Sequence, residues 1–255
     1  MGVIEQERRG RVGIITLNRP ESRNAMNDEL SQAIEDALDD FEADNEVWAV
    51  IVTGKGDIFC AGADLKMIAR GEGFKIATKR GGFGGITRRV FPKPLIAAVN
   101  GPALAGGFET VLACDLVVAA DTAVFGLPEV KRGLFAAAGG PHRLAKRVPL
   151  ALATEIVVTG EPITAERAHA VGLVNRLVPR ERVLDEALAL AQVITENGPF
   201  AVRKSLEMVR AGGDLSDDDA WTRSNAISLE VFSTKDAIEG ATAFAEKRPP
   251  RWTGS

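Results

Sequence analysis

The sequence is poor in the residues that build several common kinds of site. Its 255 residues include two cysteines, two histidines and no tyrosine, and the missing tyrosine carries no functional meaning. Cys60 and Cys114 have no metal-ligand spacing around them, so we expect two buried, reduced thiols and no metal site. His142 and His169 have no nucleophile beside them in a motif, which argues against a Ser-His-Asp triad.

The chain also lacks a long apolar run and an excess of positive charge. No run approaches the roughly 20 apolar residues of a membrane span, and a strand-like pattern begins by Val3 without an apolar or Arg-rich leader. The net charge is −4, whereas contact with phosphates of nucleic acid needs a basic face. We therefore expect a cytoplasmic protein that binds neither nucleic acid nor a membrane.

The most informative stretch runs from Pro94 to Glu109. Leu95–Val99 is a continuous apolar run typical of a strand buried on both faces. After a break, Ala105–Gly107 leads into a short apolar helix. Glycines at a helix start leave bare backbone N–H groups at the positive end of the helix dipole, where an oxygen that becomes negative during a reaction can be held. Glu109 lies in the first turn of this helix, beside that pocket.

A second stretch has the same construction. Residues 48–53 predict another buried strand, and after a turn Ala61–Ala63 leads into a helical pattern. If the first turn (Ala61–Ala63) and the second turn (Ala105–Gly107) come together, each offers one backbone N–H to a single oxygen. The spacing leaves open which residue of each triplet gives the N–H.

The rest of the chain predicts strand–helix units followed by helices alone. Residues 3–17 predict a hairpin, and residues 28–43 an amphipathic helix with Asn27 as N-cap. From Glu181 onward the pattern is helical with breaks. This favours a core over 1–195 and a helical appendage over 196–255.

Residues 66–93 are the least regular part, because glycines interrupt them. Two interpretations stay open, a mobile flap over a ligand site and a weakly ordered surface helix. The run Gly81–Gly85 is not a dinucleotide fingerprint, because its glycine spacing differs and no strand leads into it.

Four motifs together resemble the crotonase (enoyl-CoA hydratase/isomerase) superfamily. They are N-R-P-E-S-R-N-A-M from residue 18, A-G-A-D-L at 61–65, N-G-x-A-x-A-G-G-x-E at 100–109 and F-A-E-K-R-x-P-x-W near the end. The resemblance implies an α/β fold, a crotonase-like spiral of β-β-α units with a C-terminal helical region. It also implies homotrimers or dimers of trimers.

The resemblance assigns roles in the site. It implies that Ala63 and Gly106 give the oxyanion N–H groups and that Glu109 and Glu129 are the two catalytic acids. We hypothesise that Glu109 is the base that activates water, kept ionised by its helix N-terminus. Glu129 is then the acid, its pKa raised by burial and by Glu109. The alternative for Glu129 is an ion pair with nearby Lys131 or Arg132.

The resemblance further implies a coenzyme A thioester as substrate and no separate cofactor. The positions that match the family's CoA-binding residues are Arg23, Ala25, Ala61, Asp64, Leu65, Lys66 and Lys247. Asp64 is also a suitable N-cap. Solvated surface charges are the alternative for Arg23 and Lys247, the second of which often reaches the phosphates across a subunit boundary in the family.

These features favour an enoyl-CoA hydratase, which adds water to trans-2-enoyl-CoA. A crotonase-type isomerase, a dehydratase of a decorated acyl-CoA and a non-catalytic acyl-CoA-binding protein are the alternatives. Ala105, where many hydratases have glycine, and the alanine-rich loop 134–138 leave the acyl group open.

Overall fold

A six-stranded sheet forms the centre of the computed structural model, which describes residues 2–255. Its strand order is β1-β2-β3-β6-β8-β11; β1 and β2 pair antiparallel and all other neighbours pair parallel. The strands are β1 (Ile4–Arg9), β2 (Val12–Leu17), β3 (Ala49–Gly54), β4 (Ala77–Thr78), β5 (Gly82–Phe83), β6 (Leu95–Val99), β7 (Ala103–Leu104), β8 (Leu116–Ala120), β9 (Val124–Gly126), β10 (Ile163–Thr164) and β11 (Arg176–Val178). Every residue of β6, and all of β3 except Gly54, is buried, as the continuous apolar runs predict for parallel strands covered on both faces.

Ten α-helices surround the sheet and continue beyond it. They are α1 (Asp28–Ala43), α2 (Leu65–Ala69), α3 (Gly106–Ala113), α4 (Gly140–Arg147), α5 (Leu150–Thr159), α6 (Ala165–Ala170), α7 (Val183–Thr195), α8 (Pro199–Gly212), α9 (Asp217–Phe232) and α10 (Lys235–Glu246). The prediction for α1 is confirmed, because the Asn27 side chain accepts from the Leu30 N–H at 2.9 Å and the apolar stripe of the helix is buried. None of the helices among residues 2–255 combines the length and apolarity that crossing a bilayer requires.

The helices after residue 195 leave much apolar surface uncovered. In α8 the Arg210 guanidinium joins this region to the core through the Asp115 carboxylate, at 2.7 and 2.8 Å. Exposed apolar side chains follow in α9 and α10, namely Trp221, Leu229, Phe232, Ile238 and Phe244. The division at residue 195 and the oligomeric role of 196–255 stay predictions.

The structure decides against one of the two interpretations of residues 66–93, and the mobile-flap interpretation stays a prediction. Helix α2 ends at Ala69, a 3-10 turn spans Gly73–Ile76, and β4 and β5 form a short hairpin. The surface-helix interpretation is therefore wrong beyond Ala69. The hairpin lies against α1, because the buried Glu35 carboxylate accepts from the backbone N–H groups of Arg80 (3.1 Å) and Gly81.

Candidate active site

The fold brings the first and second turns into contact. Cys60 and Ala103 form a parallel bridge just before the two turns, with Leu104 N donating to Cys60 O at 3.0 Å. A Cβ built on Gly62 would lie 2.7 Å from the Ala105 Cβ and 3.1 Å from the Gly106 nitrogen. Only a residue without a side chain allows this approach. The start of α3 therefore lies directly beside the first turn.

The hydrogen bonds of the first turn single out Ala63. The Ala61 N–H donates to Arg23 O at 3.1 Å, and the Gly62 N–H points to the Cys60 sulfur at 3.4 Å. The Ala63 N–H pairs with no acceptor among residues 2–255. Of this triplet, Ala63 alone has an N–H group left for a ligand.

In the second turn the hydrogen bonds exclude one residue of the triplet. The Ala105 N–H donates to Gly126 O at 2.9 Å, which removes it from the choice. Gly106 is the first residue of α3, where an N–H has no partner within the helix. Ala63 and Gly106 both line one cavity, whereas Gly107, also in the first turn of α3, does not. The tertiary contacts thus favour Ala63 and Gly106, whose role as oxyanion donors stays a prediction.

This cavity has a volume of about 470 Å³, and most of the predicted site residues line it. The predicted residues that line it are Arg23, Ala61, Ala63, Leu65, Gly106, Glu109 and Glu129. Apolar side chains of Ile76, Phe83, Leu134 and Phe135 complete the wall. The cavity thus joins the oxyanion positions to an apolar space.

Glu109 is almost fully buried in α3, with 3% of its surface exposed. Its Oε1 accepts from the Gly140 N–H, at the start of α4, at 2.8 Å. Burial raises the pKa of Glu109 to about 7; the Gly140 N–H lowers it, and the charge of Glu129 raises it further. The helix N-terminus is expected to favour the ionised form of Glu109, and burial acts in the opposite direction and raises its pKa; the role of Glu109 as the base stays a prediction.

Glu129 lies in a 3-10 helix, Pro128–Arg132. Its Oε2 is buried and has no hydrogen-bond partner among residues 2–255. Burial raises the pKa of Glu129, while the charge of Arg132, three residues on, opposes that rise. The ion pair with Lys131 does not form, because Lys131 pairs with Glu161 at 2.6 Å. A buried carboxyl oxygen without a partner, on a residue that lines the cavity, makes Glu129 a candidate functional residue.

Four of the predicted residues lie outside the cavity lining. Asp64 is the N-cap of α2, accepting from the Lys66 N–H at 3.0 Å, and pairs with Arg19 at 3.4 Å. Ala25 accepts from the Arg19 guanidinium through its carbonyl. Lys66 is exposed on α2, and Lys247 is the C-cap of α10. A CoA-binding role for these four stays a prediction.

Two residues of the site were not identified from the sequence. The Gly140 N–H donates to the Glu109 carboxyl. The sequence feature that could have identified Gly140 is the glycine pair Gly139–Gly140, a third helix start that begins with glycine. Phe83 forms part of the cavity wall, and its signal was the glycine pair on each side. No cluster of three or more His, Cys, Asp or Glu side chains suited to a metal ion occurs within residues 2–255.

The arrangement fits a particular chemistry. Two unpaired N–H groups can hold an oxygen that gains negative charge, and a preorganised donor of this kind lowers a barrier by roughly 3 kcal/mol. Burial raises the pKa of both Glu109 and Glu129, that of Glu109 to about 7, so both carboxyls are candidates to take and give protons. The site can therefore stabilise an enolate and move protons on either side of it.

The chain is similar to known proteins over nearly its whole length. The family described as Enoyl-CoA hydratase/isomerase matches residues 7–255. Enoyl-CoA hydratase EchA19 of Mycobacterium tuberculosis is 39% identical over 96% of this chain and 94% of its own length. Carnitinyl-CoA dehydratase of Salmonella arizonae is 41% identical over 97% of both chains.

A solved structure extends the match to three dimensions. The crystal structure of an enoyl-CoA hydratase from Mycobacterium tuberculosis superposes with a TM-score of 0.96 and 47% identity, covering 100% of both chains. The α/β architecture predicted from the motifs is thereby confirmed as the crotonase fold. The chain belongs to the enoyl-CoA hydratase/isomerase family, the crotonase superfamily, and is an enzyme of the hydro-lyase type.

Proposed function

We propose that this enzyme adds water reversibly across the 2,3 double bond of a trans-2-enoyl-CoA thioester. The observation that carries the proposal is the meeting of two unpaired N–H groups, of Ala63 and Gly106, with two buried carboxyls in one cavity. The thioester oxygen sits between the two N–H groups. There it gains enolate charge as hydroxide adds to the β-carbon.

The two glutamates divide the proton transfers. Ionised Glu109, held by the Gly140 N–H, takes a proton from water, whose oxygen bonds to the β-carbon. Protonated Glu129 gives its proton to the α-carbon as the double bond becomes single. Burial raises the pKa of both carboxyls, that of Glu109 to about 7, which supports proton transfer by Glu109 near neutral pH and a proton held on Glu129 to higher pH than on an exposed glutamate.

Coenzyme A carries the acyl group, and no separate cofactor takes part. Arg23 and Leu65 line the cavity with exposed side chains, and their match to the family motifs supports a CoA path along them. Lys66 and Lys247 supply further charge near that path, the second from a neighbouring subunit. The exposed apolar side chains of α9 and α10 support a homotrimer or a dimer of trimers, which sedimentation of the intact chain tests.

A dehydratase of a decorated acyl-CoA is the second candidate, favoured by the 41% identity to carnitinyl-CoA dehydratase. A carnitinyl group carries a cation close to the reacting carbons. The cavity offers that cation only Glu109 and Glu129, which burial holds toward the neutral form, and adds the cations Arg23 and Arg132. An uncharged enoyl group therefore fits better.

The test is hydration of crotonyl-CoA, followed by the loss of enone absorbance. Glu109→Gln and Glu129→Gln are each expected to lower kcat by roughly 10²–10⁴-fold, the range for a lost acid or base. Glu166→Gln, at an exposed glutamate of α6, is the matched control and should leave kcat unchanged. Near wild-type turnover by either of the first two variants would overturn the mechanism.

A further inference from the structure

The glycine run around Phe83 has a structural purpose that the CoA chemistry does not explain. A Cβ built on Gly81 would lie 1.9 Å from Gly85 O, and one on Gly85 would lie 2.2 Å from Ser31 O of α1. The chain therefore folds back on itself and against α1 more tightly than any side chain allows. The one bulky residue of the run, Phe83, points away from this fold-back and into the cavity wall.

The ring of Phe83 lies over the second turn. A Cβ built on Gly106 would be 2.3 Å from two ring carbons of Phe83. The ring is thus in van der Waals contact with the residue that offers the second oxyanion N–H. An acyl chain whose carbonyl oxygen sits at Gly106 must pass along this ring.

A buried carboxylate holds the hairpin that carries the ring. Glu35 of α1 is 7% exposed, and its Oε2 accepts from Thr78 Oγ1, from the Arg80 N–H at 3.1 Å and from the Gly81 N–H. Three donors from one turn converge on one oxygen. A buried charge satisfied in this way fixes its donors, because any shift of the turn leaves the charge unpaired.

Ion pairs along the same face of α1 support this anchor. The Arg89 side chain, with none of its surface exposed, pairs with Asp39 and Glu42, each at 2.6 Å. Arg80 pairs with the same two acids. Glu35, Asp39 and Glu42 recur every three or four residues, so one face of α1 carries the whole segment from Thr78 to Arg89.

We infer that Phe83 determines which acyl groups the cavity accepts and that Glu35 is the positioning residue that keeps its ring in place. This inference rests on the proposed function for the placement of the thioester oxygen. Removing the ring opens space beside the α- and β-carbons. Removing the carboxylate frees the hairpin and lets the ring move away from Gly106.

The test measures binding of butyryl-CoA and decanoyl-CoA by calorimetry, so that it does not depend on turnover. Phe83→Ala should shift the ratio of the two Kd values about tenfold toward decanoyl-CoA, the scale for a methylene-sized change in an apolar pocket. Glu35→Ala should shift the Kd ratio at least threefold, also toward decanoyl-CoA. Glu35→Gln keeps an accepting oxygen, so its Kd ratio should stay close to that of the wild type. Glu35→Ala combined with Phe83→Ala should match Phe83→Ala alone.

Glu29→Ala, at an exposed glutamate of α1, is the matched control and should leave the ratio unchanged. Partial unfolding lowers the binding of both thioesters equally and cancels in the ratio, so a merely structural role of Glu35 does not produce the shift. Hydrogen exchange of the Gly81 amide gives an independent readout and should accelerate in Glu35→Ala only.

The outcomes separate the two proposals. If the wild-type chain binds both thioesters but hydrates no enoyl-CoA, the proposed function fails while the Kd ratios still decide this inference. An unchanged ratio in Phe83→Ala, or a Glu35→Ala variant with wild-type ratio or wild-type exchange at Gly81, would overturn it. If the wild-type chain binds neither thioester, both proposals fail.

Discussion

The aromatic ring of Phe83 lies against the Cα of Gly106, and a Cβ at Gly106 would come within 2.3 Å of two ring carbons. This contact joins a surface hairpin to the start of α3. It places an apolar wall directly beside the unpaired N–H group that the proposed reaction uses. The position is therefore closed to any larger residue by the close approach of the ring.

Substituting Gly106 tests this contact. Gly106→Ala should displace the ring or the turn and lower kcat/KM for crotonyl-CoA by roughly 10²–10³-fold, the loss seen when one oxyanion donor is misplaced. Adding Phe83→Ala should recover part of the loss, because the clash disappears. Gly213→Ala is the control, since a Cβ there meets nothing within 4 Å. Equal kcat/KM values for Gly106→Ala and Gly213→Ala would contradict the placement of Gly106 at the reaction site.

Ala105 is expected to store backbone strain. Its φ of 51° and ψ of −130° lie outside the region that a residue with a side chain favours. Ala105→Gly should therefore stabilise the fold by about 1 kcal/mol after the entropy cost of a glycine is subtracted. Urea unfolding at constant m-value measures this.

The control for this prediction is an ordinary helix position. Ala189→Gly, at an exposed site within α7, should destabilise the fold by about 1 kcal/mol. If both substitutions destabilise the protein to the same extent, Ala105 carries no strain.

Glu109 should lower stability at neutral and alkaline pH. Its pKa rises from 4.5 to about 7 on folding, so the folded state binds the proton more tightly. Stability then falls as pH rises from 4.5 to 7, and the full cost above pH 7 is about 3 kcal/mol. Glu109→Gln removes this cost and keeps an acceptor for the Gly140 N–H. Denaturant titrations should show the variant to be more stable than wild type at pH 8 but equal to it near pH 4.5.

The exposed Glu166→Gln variant serves as the reference for that pH series. It should follow the wild-type curve throughout. A Glu109→Gln variant that is no more stable than wild type at pH 8 would show that burial does not raise the pKa of Glu109.

The pH dependence of kcat/KM for hydration should reflect the ionisation of both carboxyls, Glu109 and Glu129. Glu109 must be ionised to take a proton, so kcat/KM should rise about tenfold per pH unit below pH 7 and then level. Glu129 must be protonated, and since burial raises its pKa, kcat/KM should fall as the pH rises through that raised pKa. For the residual activity of Glu109→Gln, kcat/KM should no longer rise with pH below pH 7. A rate independent of pH across pH 5–8 would exclude this pair as base and acid.

Arg23 should contribute electrostatically to CoA binding. It lies at the cavity with its side chain exposed. Arg23→Ala is expected to weaken butyryl-CoA binding several-fold at low salt, and the difference should shrink as added salt screens the charge. Arg9→Ala, at an exposed arginine of β1 outside this cavity, should bind like wild type. A salt-independent loss would mean that Arg23 acts through packing alone.

Local sequence patterns determined most of the fold. The apolar runs of β3 and β6, the stripe and N-cap of α1, and the paired glycines before α3 are properties of neighbouring residues, so their periodicity reports them directly. The motifs at 61–65 and 100–109 likewise indicated the family, and the second of them contains Glu109, whereas Glu129 was matched outside both motifs.

Tertiary structure decided what each group at the site can do. Whether the N–H of Ala63 or of Ala61 is free depends on Arg23 O, which reaches the turn from elsewhere in the chain. The pKa of Glu109 depends on burial by distant segments, which outweighs the helix dipole visible in the sequence. The glycines around Phe83 acquire their meaning only where the hairpin meets α1 and Gly106. Burial and close approach are sums over residues far apart in the chain, and no local pattern contains them.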